Sequence, residues 1–297
     1  MSVSVETPKR ASHFYFLRDK FEQEIARSIS LFGEKTKLRD ACEYALTNGG
    51  KRFRPLIVYL VAEALGAGYD VSESALAVEF FHTASLIVDD LPCMDNDDER
   101  REKPSLHKVY GETIALLASY ALITEAFGRI GKNGEIVRKM GASFHHLSDR
   151  MIAIALESAS HCSGIFGATG GQFYDMFPPI PTLENLRQVI YKKTVTLFEV
   201  SFVLGWVFGG GDLSKVSLLK SAAYHFGMAF QIADDLSDLE QDLKMERDIN
   251  LAKFIGKERA TAVFREEMDA FERNLILLNI HTPSFQKMEQ ILKDMIR

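Results

Sequence analysis

Proline placement constrains this chain more than any other feature. The eight prolines stand at 8, 55, 92, 104, 178, 179, 181 and 283, leaving residues 105–177 and 182–282 free of them. A proline inside a helix removes a hydrogen bond and clashes with the preceding turn, so long tracts without one favour helices. Apolar periodicity agrees. Phe14, Leu17, Phe21, Ile25, Ile29 and Phe32 recur every three or four residues and predict a helix over 11–32. Leu38 to Thr47 and Leu56 to Leu65 predict two more, the first stopped by Asn48-Gly49-Gly50 and the second opened by Pro55. Further breaks are expected at Gly66 to Gly68, Pro92, Pro104, Lys132-Asn133-Gly134, Gly167 to Gly171, Pro178 to Pro181 and Gly209 to Asp212. No period-two alternation bounded by turn signals occurs, so no strand is expected in the core.

Helices apolar over much of their circumference pack as a bundle. With 46% hydrophobic residues, the expectation is an all-α fold: residues 1–10 a flexible leader, and 11–297 a single domain. Its roughly ten or more helices would surround a central apolar cavity. Helices of about 10 to 25 residues reach roughly 15 to 38 Å, enough to enclose a linear hydrocarbon.

Composition excludes several classes. Thirty-five basic against 41 acidic residues leave a net charge of −6, so no field draws nucleic acid or an anionic membrane. Cys42, Cys93 and Cys162 are odd in number and widely spaced, which gives no disulfide framework and fits a reduced, cytoplasmic setting. No signal peptide and no uncharged apolar run of about 18 residues is visible, so no membrane span is expected.

Two acidic clusters carry the chemistry. The first, Asp89, Asp90, Asp95, Asp97 and Asp98, follows an apolar helix directly. Carboxylates at this density are hard oxygen ligands suited to Mg²⁺, which bridges one or two of them to a phosphate; a solvated acidic turn is the other reading. Asp89 and Asp95 would lie on different faces of a continuous helix. A kink around Pro92, over Leu91 to Cys93, is therefore expected to bring them together. Arg100 and Arg101 supply planar forks for phosphate oxygens. The second cluster, Asp234, Asp235 and Asp238, ends the apolar segment Ala222 to Ala233, with Asp234 and Asp238 on one helix face. Facing carboxylate sets on separate helices hold metals that bridge one diphosphate.

Together with Gly49-Gly50-Lys51-Arg52-Phe53-Arg54-Pro55, Gly170-Gly171-Gln172 and Lys193-Thr194, these clusters resemble the trans-isoprenyl diphosphate synthase family, over about residues 40 to 260. Asp89-Asp90-Leu-Pro-Cys-Met-Asp95 is similar to its four-residue-spacer DDxxxxD motif. The resemblance implies an isoprenoid synthase fold and a prenyltransferase joining isopentenyl diphosphate to dimethylallyl, geranyl or farnesyl diphosphate. It further implies that Lys51, Arg54, His82 and Arg101 hold the isopentenyl diphosphate, and that Arg100, Lys193, Thr194 and Gln231 serve the allylic diphosphate. Two or three Mg²⁺ ions, replaceable by Mn²⁺, would sit on Asp89, Asp90, Asp95, Asp234, Asp235 and Asp238. Relatives are usually homodimers, with apolar helices early in the chain as the candidate interface. The alternatives are a non-catalytic regulatory subunit and a terpene cyclase. The basic turn from Gly49 to Pro55 discriminates against the cyclase.

The growing tail is expected along the helix that ends at Asp89. Ser85 and Phe81 lie roughly 6 and 12 Å back on that face, with Ala84 beside Ser85. Small Ala84 and Ser85 pass the chain and Phe81, helped by Phe80, stops it, predicting a product of about fifteen to twenty carbons with twenty favoured. The chain departs from the family at two places. Ala118-Ser119-Tyr120-Ala121-Leu122 replaces an Ala-Gly-Asp-Ala-Leu run, and the stretch Leu243 to Asn250, with Lys244 and Arg247, is shorter than the family's loop.

Overall fold

A computed structural model describes residues 8–239 and 250–296. Helix α1 (Pro8–Ile29) starts three residues earlier than the periodicity predicts, because proline is at home in a first turn, where its missing N–H has no partner to lose. Pro8 to Arg10 therefore belong to this helix, and the rest of the expected leader lies outside the described residues. Next come α2 (Lys37–Leu46), α3 (Phe53–Leu65) and α4 (Ser72–Asp89), which delivers the first acidic cluster. A small hairpin, β1 (Glu99–Arg100) and β2 (Lys103–Pro104), precedes α5 (Leu106–Tyr110), α6 (Glu112–Arg138), α7 (His145–Ser163) and α8 (Ala168–Met176). Then α9 (Leu183–Ile190) passes through one π-helical turn (Tyr191–Val195) into α10 (Thr196–Phe208). The chain continues as α11 (Val216–Ser237), α12 (Leu251–Ile255), α13 (Lys257–Leu278) and α14 (Pro283–Met295).

Every residue of α10 is buried, and it packs against α3, α4, α7 and α11. It is the axis of the bundle: an apolar helix with no polar face has nowhere stable but the interior. Buried apolar side chains form one connected cluster from Leu17 to Leu292. The hairpin stays outside it, consistent with a core free of strands.

One expectation is corrected. The break at Lys132-Asn133-Gly134 does not occur, and α6 runs through it. Asn133 is fully buried and works as a cross-chain cap, its Oδ1 accepting from the Ser74 amide at 2.9 Å and Ser74 Oγ at 2.7 Å, its Nδ2 donating to Asp70 O at 2.9 Å. Gly134 lets α7 approach, since a Cβ there would lie 2.2 Å from Ile152 Cγ1. Both residues look like turn formers only because their partners are distant in sequence. By length and composition alone α6 and the stretch Ala142–Met176 are long and apolar enough to cross a membrane, although charged residues interrupt both. In the bundle α6 packs against α2, α4 and α7 and leaves Leu116, Leu117 and Tyr120 exposed.

Candidate active site

Helix α4 ends at Asp89, and the chain then folds tightly back. The Asp95 amide donates to Asp89 O at 2.9 Å, and the Met94 and Asn96 amides donate to Leu91 O at 2.8 and 3.1 Å. This is the kink expected at Pro92, and it returns Asp95 to the side of Asp89. Across the bundle, Asp234 lies in the last turn of α11. Both Asp89 and Asp234 line one cavity of about 900 Å³, so one member of each acidic cluster reaches the same opening.

The same cavity is lined by Lys51, Arg54, His82, Arg100, Arg101, Lys193, Thr194 and Gln231, so every basic and polar residue expected to touch substrate is brought together. Phe81, Ala84 and Ser85 line it as well, whereas Phe80 is fully buried and packs edge-on to Phe32 at 5.7 Å, away from the expected tail path. Phe81 is itself backed by Phe127 of α6, ring centroids 5.0 Å apart.

Four of the expected metal ligands are not among the lining residues. The Asp90 carboxylate is buried and accepts from Arg100 Nε at 2.9 Å and from its Nη2, so it holds that guanidinium in place. The Asp235 carboxylate accepts from Gln231 Nε2 at 2.8 Å and, through its other oxygen, from the Leu251 amide at 2.8 Å. It ties the start of α12 to the end of α11. Asp238 is the exposed C-cap residue of α11, and Asp95 is exposed beside the cavity. Lys244 and Arg247 lie outside the described residues.

The hairpin and the basic turn are locked together. Residues Arg101 and Glu102 form its two-residue loop with φ of 56° and 64°, the type I′ conformation that suits strand twist but strains a residue with a Cβ. Asn48 Nδ2 donates to Arg100 O at 3.0 Å, Tyr44 Oη donates to Pro104 O at 2.8 Å, and the Arg101 guanidinium donates to Gly49 O. Arg100 thus reaches Asp90 and Asp97 while its neighbour reaches the basic turn.

On the opposite wall the π turn carries Lys193 and Thr194. Such turns often mark functional positions in helices. Thr194 Oγ1 donates to Gln231 Oε1 at 2.8 Å, and Lys193 pairs with Asp175. Gly171 of α8 fits only as glycine, because a Cβ would sit 2.4 Å from Lys193 N.

Burial dominates the electrostatics of the first cluster. Burial pushes the Asp89 carboxyl up to about 7, Lys193 opposes this, and Asp95 and Asp175 push it further. Burial likewise raises Asp95, with Asp175 and Asp97 adding to it against Lys193. Several carboxylates therefore share one region with the Lys193 ammonium, paired with Asp175, and the Arg100 guanidinium, paired with Asp90 and Asp97. Among the described residues no three potential ligands are close enough to hold an ion unaided. Of the six carboxylates expected to bind metal, Asp89 and Asp234 line the cavity and Asp95 lies beside it, so these three are the ones that would hold a divalent cation there.

Asp175, which the sequence offers alongside Gln172, pairs with Lys193, whereas Glu79, one turn before His82, escapes a reading of sequence and lines the cavity with a buried carboxylate.

The polyprenyl synthetase family model matches residues 35–295. The chain belongs to the polyprenyl synthetase family. Within it, 232 residues are 38% identical to the chloroplastic geranylgeranyl pyrophosphate synthase of Catharanthus roseus, covering 77% of this chain and 61% of that protein. A farnesyl diphosphate synthase of Bacillus subtilis is 37% identical over 232 residues, 76% of this chain and 75% of that protein. Among solved structures, a geranyltransferase of Legionella pneumophila superposes with a TM-score of 0.82 at 25% identity, covering 96% of this chain and 97% of the other. A geranyltranstransferase of Thermotoga maritima does so with 0.77 at 30%, covering 95% and 99%. This polyprenyl synthetase therefore shares the isoprenyl synthase architecture over nearly its whole length.

Proposed function

We propose that this polyprenyl synthetase is a short-chain trans-prenyltransferase condensing isopentenyl diphosphate with dimethylallyl, geranyl or farnesyl diphosphate. One observation carries the reading: Asp89 and Asp234, on separate helices, line a single cavity with the basic turn residues Lys51 and Arg54. A terpene cyclase has no need of that turn, and a regulatory subunit has no need of the carboxylates.

The reaction begins when the allylic C–O bond breaks and the diphosphate leaves with the electron pair. Mg²⁺, when bound, stabilises that departing anion, the electrostatic contribution that is usually largest. Arg100, Lys193, Thr194 and Gln231 hold the allylic diphosphate, while Lys51, Arg54, His82 and Arg101 hold the second substrate. Burial lowers the basicity of His82 well below its usual value, with Arg54 and Arg101 adding to the effect, so it acts as a neutral imidazole. Positioning brings the isopentenyl double bond onto the cation, and the adduct loses a proton to the released diphosphate. Phe81, Ala84, Leu197 and Phe230 keep water away from the cation.

Incubating the full chain with labelled isopentenyl diphosphate and each allylic partner, with and without Mg²⁺, is expected to give a prenyl diphosphate only with the metal. Absence of any coupled product with all three partners would sink the reading.

Its finer points rest on separate features. The tail path over Ser85 and Ala84 to Phe81 supports a product of about fifteen to twenty carbons, twenty favoured. Phe81→Ala is expected to lengthen the product by at least one unit of about five carbons in mass spectrometry, because it leaves a hole of about one aromatic ring next to Phe127. An unchanged product would remove Phe81 as the stop. Exposed Leu116, Leu117 and Tyr120 on α6 support a homodimer rather than a membrane span. Three free thiols, Cys42, Cys93 and Cys162, support a reducing cytoplasm.

A further inference from the structure

Glu79, His82, Ser85 and Asp89 are spaced three, three and four residues apart on α4, so they form one line along the helix face that looks into the cavity. His82 and Asp89 have parts in the proposed reaction, and Glu79 has none. Yet its carboxylate is 1% exposed. Oε1 accepts from Arg52 Nη1 at 2.5 Å, while Oε2 is buried without a hydrogen-bond partner. A buried carboxylate oxygen left unmatched is costly, and such a group persists when it serves something nearby.

Arg52 alone does not account for it. That guanidinium is already held by Glu22, with Nε to Oε1 at 2.8 Å and Nη2 to Oε2 at 3.2 Å, and by Leu46 O at 2.7 Å. The neighbouring arginines are less well held. Arg54 lies over the Phe198 ring, 4.4 Å from its centroid, approaches His82 Nε2 at 3.4 Å, and among the described residues its buried Nε has no hydrogen-bond partner. Burial lowers its pKa to about 10; the Glu79 charge opposes that fall and Arg101 adds to it. Arg101 is lowered by burial in the same way and again supported by Glu79. Arg52 is thus bonded to the buried Glu79 carboxylate, and Arg54 and Arg101, which line the same cavity, lie close enough to feel its charge.

We propose that Glu79 is a positioning residue for the isopentenyl diphosphate half-site, the buried carboxylate that holds Arg52, Arg54 and Arg101 together facing the cavity. It balances their mutual repulsion before substrate arrives and fixes the forks at the spacing a diphosphate requires. The inference rests on the prenyltransferase reading, and its test separates the two.

Glu79→Gln keeps volume and an acceptor but removes the charge. The KM for isopentenyl diphosphate is expected to rise about tenfold, equivalent to about 1.4 kcal/mol. The KM for the allylic diphosphate should stay within about twofold, a split that a general loosening of the fold would not produce. Glu22→Gln, which removes the outer partner of Arg52, should leave both constants within about twofold. Glu79→Asp keeps the charge, and direct titration with isopentenyl diphosphate is expected to find its affinity within about threefold of the wild type, which also covers a glutamine variant that folds poorly. Equal rises in both KM values, no rise for isopentenyl diphosphate, or an aspartate variant as weak as the glutamine one would overturn the proposal. Should the wild-type chain consume no isopentenyl diphosphate, the prenyltransferase reading falls first and this inference with it.

Discussion

Asp89→Asn is expected to lower turnover by about 10³-fold, comparable to or larger than the loss of one preorganised group at a site of developing charge. Asp89 is the one member of the first cluster that lines the cavity, and asparagine keeps its shape while discarding the charge that a cation needs. Stability should move the other way. Burial raises the Asp89 carboxyl to about 7 in the folded state. The native protein therefore binds more protons than the unfolded chain between about pH 4 and 7, and stability falls as pH rises through that window. Above it the ionised carboxylate opposes folding in metal-free buffer, and asparagine removes that cost. The thermal midpoint in chelator at pH 8 is thus expected to equal or exceed that of the wild type. A variant with activity within tenfold of wild type, or one markedly less stable, would show that Asp89 serves the fold and not the reaction.

Gly171→Ala is expected to cut activity at least about 10²-fold and to destabilise the protein by about 1 to 3 kcal/mol. The added Cβ would stand 2.4 Å from Lys193 N and 2.6 Å from Lys193 Cα. Both are backbone atoms, so no side-chain rotation relieves the clash. Either α8 retreats or the π turn moves, and the turn carries Lys193 and Thr194. Urea unfolding and steady-state turnover measured together check both halves; normal kinetics in a destabilised variant would show that the turn holds its place without α8.

Much of this was legible in local pattern. Asp89, the kink after Pro92, Asp234 and the basic turn all announce themselves within short segments, because metal and phosphate chemistry gathers one residue type in a few positions. The helices are equally plain wherever proline and apolar spacing agree. What escaped depends on partners distant in sequence. Asn133-Gly134 reads as a turn until Ser74 and Ile152 are known to face it. Asp90 and Asp235 look like equal members of their clusters, and only the fold reveals that one steadies Arg100 and the other anchors Leu251. The π turn has no local signature, since its extra residue is stabilised by packing, and Glu79 is one more acid on a helix until Arg52 is seen bonded to it.

The hairpin at 99–104 has a consequence for how such a chain can vary. Exposed loops usually tolerate added or lost residues. Here Arg100 closes the ladder and Arg101 opens its two-residue loop, so consecutive guanidiniums reach different partners, the first acidic cluster and the basic turn. One inserted residue between Glu99 and Pro104 would rotate each arginine away from its own partner, leaving a surface loop as intolerant of length change as the middle of a helix.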